Sequence, residues 1–182
     1  MNKAVFLDRD GVINRKLPEG QYVTRWEEFQ FLPKVADAIA ALKSSGFRVI
    51  VVSNQRCVAK GLLSLSNLEM IHQRMLATLA AANAVVDKVY CCPHEMYPPC
   101  SCRKPQPGML LLAAQDYGIG LVNSWMIGDS ETDVEAGKAA GCKTARIVNS
   151  GESSNGTADL FAESLFDAVQ KILVADKRSK LE

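Results

Sequence analysis

Carboxylates that follow short apolar runs are the first residues in this sequence that could do chemistry. Asp8 and Asp10 come directly after the apolar run 4–7, and Asp129 comes shortly after a second run at 125–127. Buried like charges this close raise each other's pKa unless a cation lies between them. Three carboxylates in one crevice suit a hard cation with oxygen ligands, of which Mg²⁺ is the usual one. The alternative, that Asp8 and Asp10 only mark a turn, does not account for the other motifs.

Hydroxyl, amide and ammonium groups accompany these acids. Ser53 and Asn54 follow the apolar run 47–52, and Lys104 follows a loop rich in proline and cysteine. Ligands of open α/β sheets bind outside the carboxyl ends of the strands, so these side chains should meet in one crevice. Together they would form a cradle for the oxygens of a phosphate group. The sequence therefore predicts a phosphate site that includes a bound Mg²⁺.

A cluster of thiols and one imidazole lies just before Lys104. The four candidate ligands are Cys92, His94, Cys100 and Cys102. Three thiolates and an imidazole form the closed, tetrahedral set of a structural zinc site. On spacing alone Cys91 could replace Cys92, and buried thiols beside a loop histidine are the alternative without a metal. We predict packing roles for Cys57 and Cys142, and a helix surface for His72.

Short apolar runs alternate with helical patterns along the chain. The predicted strands are 4–7, 47–52, 85–92, 125–127 and 144–148. The predicted helices are 35–42, 66–82 (with a capping box of Ser66 and Glu69), 108–117, 131–140 and 160–174, with a polar loop at 149–157. This alternation predicts an α/β fold: a Rossmann-like open parallel sheet with helices on both faces. No insertion is long enough for a large cap domain.

Composition and charge narrow the class of protein. The chain has 182 residues, of which 48% are hydrophobic and 23% charged, so it can bury a core as one domain over residues 1–182. A net charge of +1 gives no basic field for nucleic acid. No apolar stretch approaches the ~18 residues of a membrane span. Six cysteines without a secretory signal indicate a reducing compartment. We expect a soluble, cytoplasmic protein and, by default, a monomer.

Four motifs in this order resemble those of the haloacid dehalogenase superfamily of phosphatases. They are Asp8-x-Asp10-Gly11-Val12-Ile13-Asn14, Ser53-Asn54-Gln55, Arg103-Lys104-Pro105 and Gly128-Asp129-x-x-x-Asp133. The match spans about residues 4–148. The first motif has the form seen in the branch that contains heptose bisphosphate and histidinol-phosphate phosphatases. That branch also has a Cys-Pro-His signature, which favours Cys92 over Cys91 as the zinc ligand.

The resemblance implies a mechanism that uses an aspartyl phosphate. Asp8 would be the nucleophile, and Asp10 would protonate the leaving alcohol and then deprotonate the hydrolytic water. Mg²⁺ would be held by Asp8, the main-chain carbonyl of Asp10 and Asp129. Ser53 and Lys104 would hold the transferring oxygens, together with the neighbouring amide of Asn54.

Further residues in these motifs have roles that the resemblance leaves less defined. Arg103 would grip a distal anionic group with its planar guanidinium. Asp133 would orient Lys104 or waters on the metal, or else is an exposed helix residue. The zinc loop within residues 91–107 would act as a scaffold, because Cys102 directly precedes Arg103 and Lys104.

Substrate choice should depend on loops, with a small phosphorylated metabolite as the partner. Residues 22–29 resemble the substrate-facing segment of the heptose 1,7-bisphosphate 7-phosphatases, and a bisphosphate would use both Arg103 and Lys104. Histidinol phosphate is the alternative substrate, and a nucleic-acid end is disfavoured by the net charge. The family often has Asn-Gln-Ser-Gly after the second strand, whereas here Gln55 and Arg56 precede a cysteine. Gln55 would line the pocket, and Arg56 is either a ligand contact or a solvated charge.

Overall fold

A six-stranded parallel sheet lies at the centre of the fold. The computed structural model describes residues 2–148 and 156–178, so most of the predicted polar loop lies outside the described residues. The strands are β1 (Ala4–Leu7), β2 (Arg48–Asn54), β3 (Lys88–Cys92), β4 (Trp125–Gly128), β5 (Lys143–Ile147) and β6 (Leu160–Ala162). Their spatial order is β3-β2-β1-β4-β5-β6, and every neighbouring pair is parallel. The predicted open parallel sheet is confirmed.

Helices cover both faces of this sheet, as predicted. They are α1 (Val35–Ser44), α2 (Leu65–Ala81), α3 (Gly108–Tyr117), α4 (Glu131–Ala139) and α5 (Leu165–Arg178). α1, α2 and α5 pack on one face, and α3 and α4 pack on the other. All four residues of β1 are buried, which is typical of a parallel strand covered on both sides.

Several predicted element boundaries were wrong; β3, for example, begins at Lys88 and not at residue 85. The apolar residues 160–162 form the edge strand β6, which pairs with β5, and α5 begins only after Ser164, whose hydroxyl accepts a hydrogen bond from the Asp167 amide. The first residues of the predicted helix therefore pair with the sheet instead. The α2 helix is capped by Ser64, whose side chain accepts from the Asn67 amide 3.1 Å away, and not by Ser66.

The order of the strands places a crevice beside β1. β1 lies between β2 and β4. The strands that follow β1 in sequence first extend the sheet on one side of it (β2, β3) and then on the other (β4, β5, β6), and ligands of such sheets bind at the strand where this order reverses. The segment 8–34 continues the chain from the carboxyl end of β1 to the start of α1, and it contains one 3₁₀ turn, Trp26–Glu28. Within the described ranges, no insertion forms a separate cap domain. None of the described helices is both long enough and apolar enough to span a membrane.

Candidate active site

A buried lysine lies between two carboxylates at the carboxyl end of the sheet. Lys104 Nζ is 2.8 Å from Asp8 Oδ1 and 2.6 Å from Asp133 Oδ1, and it donates to the Val52 carbonyl 2.9 Å away. Only 3% of Lys104 and 1% of Asp133 is exposed. The exposed-helix interpretation of Asp133 is therefore wrong, because this side chain orients Lys104. Its second oxygen accepts from the Ser130 amide and caps α4.

Burial and charge act in opposite directions on this triad. Burial raises the pKa of Asp8 to about 7, the Asp133 charge adds to that rise, and Lys104 opposes it. Burial alone would lower the pKa of Lys104, but the Asp133 and Asp8 carboxylates outweigh it and raise that pKa. Lys104 is therefore a permanent cation beside Asp8. A second cation at Asp8 would favour the ionised carboxylate further.

Asp8 and Asp129 have the chemistry of a divalent-cation site. The carboxylates of Asp8, Asp129 and Asp133 have oxygens within 4.8 Å of one another. Asp129 Oδ1 is buried and, in the part of the chain that the structure describes, has no hydrogen-bond partner. The backbone comes close to this carboxylate at Gly11, where φ is +95° and a Cβ atom would lie 2.3 Å from Asp129 Oδ2. These donors fit Mg²⁺, which prefers oxygen ligands.

A lysine that the sequence analysis missed reaches the same carboxylate. Lys16 Nζ is 2.6 Å from Asp129 Oδ2, although 56% of the Lys16 side chain is exposed. This ammonium and a metal ion would compete for the same oxygen. Lys16→Met should therefore bind Mg²⁺ about three- to fivefold more tightly, the range expected for removing one exposed ion pair. Calorimetric titration with Mg²⁺ measures this, with Lys171→Met on α5 as control. Unchanged or weaker affinity would contradict the competition.

Three donors hold the second carboxylate of the motif, Asp10. Arg9 Nη2 lies 3.1 and 3.0 Å from the two Asp10 oxygens, Asn14 Nδ2 donates at 2.8 Å and Gln55 Nε2 at 2.9 Å. Burial would raise the pKa of Asp10, but Arg9 and these hydrogen bonds outweigh it and lower the pKa. Gln55 also donates to Ser53 Oγ, 2.8 Å away. Gln55 thus connects the end of β2 to Asp10.

Asn54 contacts the backbone of the cationic loop. Its Nδ2 donates to the Lys104 carbonyl at 3.0 Å, and its Oδ1 accepts from the Lys104 amide at 3.1 Å. Both polar atoms of the Asn54 side chain therefore form hydrogen bonds with the backbone of Lys104. The structure places Asn54 as a support for Lys104 at the edge of the cavity.

A cavity of about 320 Å³ opens over these groups. The described residues that line it include Asp8, Asp10, Asn54, Gln55, Arg103, Lys104, Asp129, Asp133 and the segment 16–23. Ser53, which was expected to hold the transferring oxygens, is not among the lining residues, and only 1% of it is exposed. Arg56 is not among the lining residues, because its guanidinium pairs with Glu95. The geometry thus supports the solvated-charge interpretation of Arg56.

Only the beginning of the segment 22–29 faces the cavity. Tyr22 and Val23 line it. The remainder turns away, and the rings of Trp26 and Phe29 stack with their centroids 5.1 Å apart. Apolar packing of these rings explains why most of this segment does not line the cavity.

The cysteines and histidine of the predicted zinc loop converge on one point. Cys92 Sγ is 3.6 Å from His94 Nδ1 and 3.5 Å from Cys100 Sγ, while Cys102 Sγ is 3.2 Å from His94 Nδ1. Donors arranged tetrahedrally around zinc, each roughly 2.0–2.3 Å from it, lie roughly 3.5 Å apart. The four donors therefore fit a zinc ion. Cys91 does not belong to this group.

His72 is buried, which corrects the predicted helix surface. Only 2% of it is exposed, and its Nε2 lies 3.2 Å from Arg9 Nη1. The helical pattern of α2 gave no sign that the His72 side of the helix packs against the turn formed by Asp8, Arg9 and Asp10. Burial, followed by the nearby Arg9 charge, lowers the pKa of His72 from 6.5 to about 4, while Asp10 opposes the shift.

This neutral histidine should make stability depend on pH. An unfolded chain takes up a proton at His72 near pH 6.5, whereas the folded chain does so only near pH 4. The stabilisation is complete above pH 6.5 and is lost as the pH falls towards 4. From pH 7 to 5 the wild type should lose about 2 kcal/mol more unfolding free energy than His72→Gln. Urea unfolding at both pH values tests this, and equal losses would contradict it.

Comparisons with known proteins agree with this geometry. A family model described as HAD-hydrolase-like matches residues 101–173. The D-glycero-beta-D-manno-heptose-1,7-bisphosphate 7-phosphatase of Pseudomonas putida is 41% identical over 80% of this chain and 82% of its own. The chain belongs to the haloacid dehalogenase-like hydrolases. The D-glycero-alpha-D-manno-heptose-1,7-bisphosphate 7-phosphatase of Mycobacterium tuberculosis is 38% identical over 90% of this chain and 87% of its own.

A solved member of this hydrolase family has the same fold. The D,D-heptose 1,7-bisphosphate phosphatase of B. bronchiseptica, complexed with magnesium and phosphate, superposes with a TM-score of 0.87. It is 31% identical and covers 95% of this chain and 99% of its own. The predicted family is therefore confirmed. Lys16 and His72 lie outside the four motifs that indicated it, which is why sequence reasoning missed both.

Proposed function

We propose that this hydrolase is a Mg²⁺-dependent phosphatase that removes the 7-phosphate of D-glycero-D-manno-heptose 1,7-bisphosphate. The distribution of cations around one cavity carries the proposal. Lys104 lies at the base beside Asp8, while Arg103 and Lys16 belong to the lining as separate positive groups. One sugar with two phosphates can therefore place each phosphate against a cation. The relatives named for the alpha and beta heptose bisphosphates support the same substrate class.

In the first step Asp8 acts as the nucleophile. One of its carboxylate oxygens attacks phosphorus, the bond from phosphorus to the sugar oxygen breaks, and Asp10 donates a proton to that oxygen. The products are an aspartyl phosphate and the sugar alcohol. Because the Asp8 carboxylate and the phosphate are both anionic, their approach needs nearby positive charge. Lys104, 2.8 Å from Asp8 Oδ1, supplies it from the protein.

In the second step water hydrolyses the aspartyl phosphate. Asp10, now ionised, removes a proton from the water, whose oxygen attacks phosphorus, and the Asp8 carboxylate is released with inorganic phosphate. Mg²⁺ would be held by the Asp8 carboxylate, the Asp129 carboxylate and the main-chain carbonyl of Asp10. When bound, this ion supplies charge neutralisation for the transferring phosphoryl oxygens. Ser53, Gln55 and Asn54 support the groups that face these oxygens.

We also assign Zn²⁺ to the set of Cys92, His94, Cys100 and Cys102, as a structural ion without a role in the chemistry. The peptide chain continues directly from Cys102 to the two cations of the cavity. Arg103 Nη1 donates to the His94 carbonyl at 3.3 Å, which connects the cation to the zinc loop a second time. Fixing this loop therefore fixes the direction of both cations.

Removal of one zinc ligand should lower activity through this scaffold. Cys102→Ser is expected to lose bound zinc and at least about tenfold in kcat/KM, because a displaced Lys104 no longer stabilises the transferring charge. Metal content by mass spectrometry and phosphate release measure the two effects. Cys91→Ser is the matched control and should keep both zinc and turnover. A zinc-free Cys102→Ser enzyme with normal turnover would refute the scaffold role.

Phosphate release from three substrates tests the proposed substrate. With Mg²⁺ present, we expect kcat/KM for one anomer of the heptose 1,7-bisphosphate to exceed that for histidinol phosphate by at least about 100-fold, which is within the discrimination that polar groups of a site produce when an analogue leaves them unpaired. Phosphorus NMR should show that the 1-phosphate remains on the product. Preference for histidinol phosphate would overturn the substrate. In that case Glu19, which lines the cavity, is the carboxylate that an amine would meet.

A further inference from the structure

Arg9 is a buried cation that the proposed mechanism does not use directly. It lies between Asp8 and Asp10 in the sequence, yet only 1% of it is exposed. Its Nη2 faces both Asp10 oxygens at 3.1 and 3.0 Å, and its Nη1 lies 3.2 Å from His72 Nε2. The Phe29 ring lies against the guanidinium, with its centroid 5.9 Å from Cζ. The guanidinium is therefore held on three sides.

Hydrogen-bond chemistry fixes the form of His72 in this arrangement. An arginine has donors only, so Nε2 of His72 must be the acceptor and the ring must carry its proton on Nδ1. A protonated imidazolium would have no acceptor and would add a second positive charge beside Arg9. The neutral ring agrees with a group that is buried against a permanent cation.

We infer that His72 is a positioning residue for the general acid–base group Asp10, acting through Arg9. This inference rests on the proposed function. His72 helps to fix the plane of the guanidinium, because its Nε2 is the acceptor that faces Nη1 and Arg9 Nε has no hydrogen-bond partner among the described residues. That plane in turn determines whether Nη2 meets both oxygens of Asp10. Without the acceptor, the guanidinium keeps only its contacts with Asp10 and Phe29, so Nη2 can tilt away from one Asp10 oxygen and the alignment of Asp10 with the leaving oxygen is weakened.

The leaving group of the substrate distinguishes this role from a general structural one. An alkoxide leaving group needs a proton from Asp10, whereas p-nitrophenolate departs without one. His72→Leu should lower kcat/KM at least tenfold for the heptose bisphosphate and less than threefold for p-nitrophenyl phosphate. His72→Gln retains an acceptor in its carbonyl oxygen and should recover activity on the sugar phosphate to within threefold of the wild type. KM should change less than kcat.

Several outcomes would overturn the inference. Equal losses on both substrates would show that His72 only supports the fold, and an unchanged His72→Leu enzyme would show that it has no role. If His72→Leu does not fold, His72→Asn replaces it, because its amide is too short to reach Arg9. Failure of His72→Gln to recover activity would also count against the hydrogen bond.

The same experiment keeps this inference separate from the proposed function. Asp10→Asn should show the selective loss on the alkyl substrate even more strongly than His72→Leu. The comparison is made in kcat/KM, which ends at formation of the aspartyl phosphate, because the later step in which Asp10 acts as base is common to both substrates. If Asp10→Asn loses both substrates equally in kcat/KM, the general acid has been assigned wrongly, and so has the residue that positions it. If the wild type does not hydrolyse the heptose bisphosphate, the proposed substrate fails. The ratio of glycerol phosphate to p-nitrophenyl phosphate turnover then still tests His72.

Discussion

Asp8→Asn should abolish phosphate release while the protein still folds. An amide has nearly the same shape as the carboxylate but is not a nucleophile at phosphorus, so no aspartyl phosphate forms. Loss of a catalytic nucleophile costs at least about 10⁴-fold in kcat. The carbonyl oxygen of the introduced amide can still face Lys104 Nζ, which lies 2.8 Å from Asp8 Oδ1 in the native site. The local packing should therefore survive the substitution.

A matched substitution separates this effect from a general loss of charge. Asp116 lies on the exposed surface of α3, where its carboxylate accepts a hydrogen bond from the Tyr90 hydroxyl. Asp116→Asn should therefore keep wild-type turnover. Circular dichroism and zinc content check the fold of both variants. Acid quenching of the wild type during turnover with labelled substrate should trap phosphate on the peptide that contains Asp8. More than about 1% residual turnover in Asp8→Asn would assign the nucleophile to another group.

The carboxyl-end acids were predictable because their positions follow from local sequence. Asp8, Ser53 and Asp129 each end or follow a short apolar run, and parallel strands bring such ends to one edge of the sheet. The convergence of Cys92, His94, Cys100 and Cys102 was predictable for a similar reason, since all four lie between the last residue of β3 and the end of the loop that follows it. In both cases the local sequence around each residue is enough to predict which side chains lie close together.

Contacts between distant elements were not predictable in this way. The contact between His72 and Arg9 depends on how α2 packs on the turn after β1. The hydrophobic periodicity of the sequence around each residue does not predict that contact. Asn54 was expected to hold phosphate, but an amide at the end of β2 can equally bond the backbone of the next loop, as it does at Lys104. β6 was missed because three apolar residues next to a helix also continue a helical pattern.

Lys104→Met should reduce both stability and activity. The substitution leaves two buried carboxylates, Asp8 and Asp133, without the cation that lies 2.8 and 2.6 Å from them. Breaking a buried ion pair from one side costs about 3–5 kcal/mol of unfolding free energy. The loss of positive charge beside the transferring phosphoryl group should also lower kcat/KM by about 10²–10³-fold. Urea unfolding and phosphate release measure the two losses, and Lys171→Met on the surface of α5 should change neither.

A double substitution separates the two consequences of losing Lys104. Asp133→Asn removes one of the stranded charges, so Lys104→Met/Asp133→Asn should be more stable than Lys104→Met alone. The carbonyl oxygen of the introduced asparagine can still accept from the Ser130 amide at the start of α4, where Asp133 Oδ2 now accepts at 3.1 Å. Activity should not return, because Asp8 still lacks its cation. Recovery of turnover with stability would mean that Lys104 supports only the fold, whereas stability regained without turnover places its charge in the reaction itself.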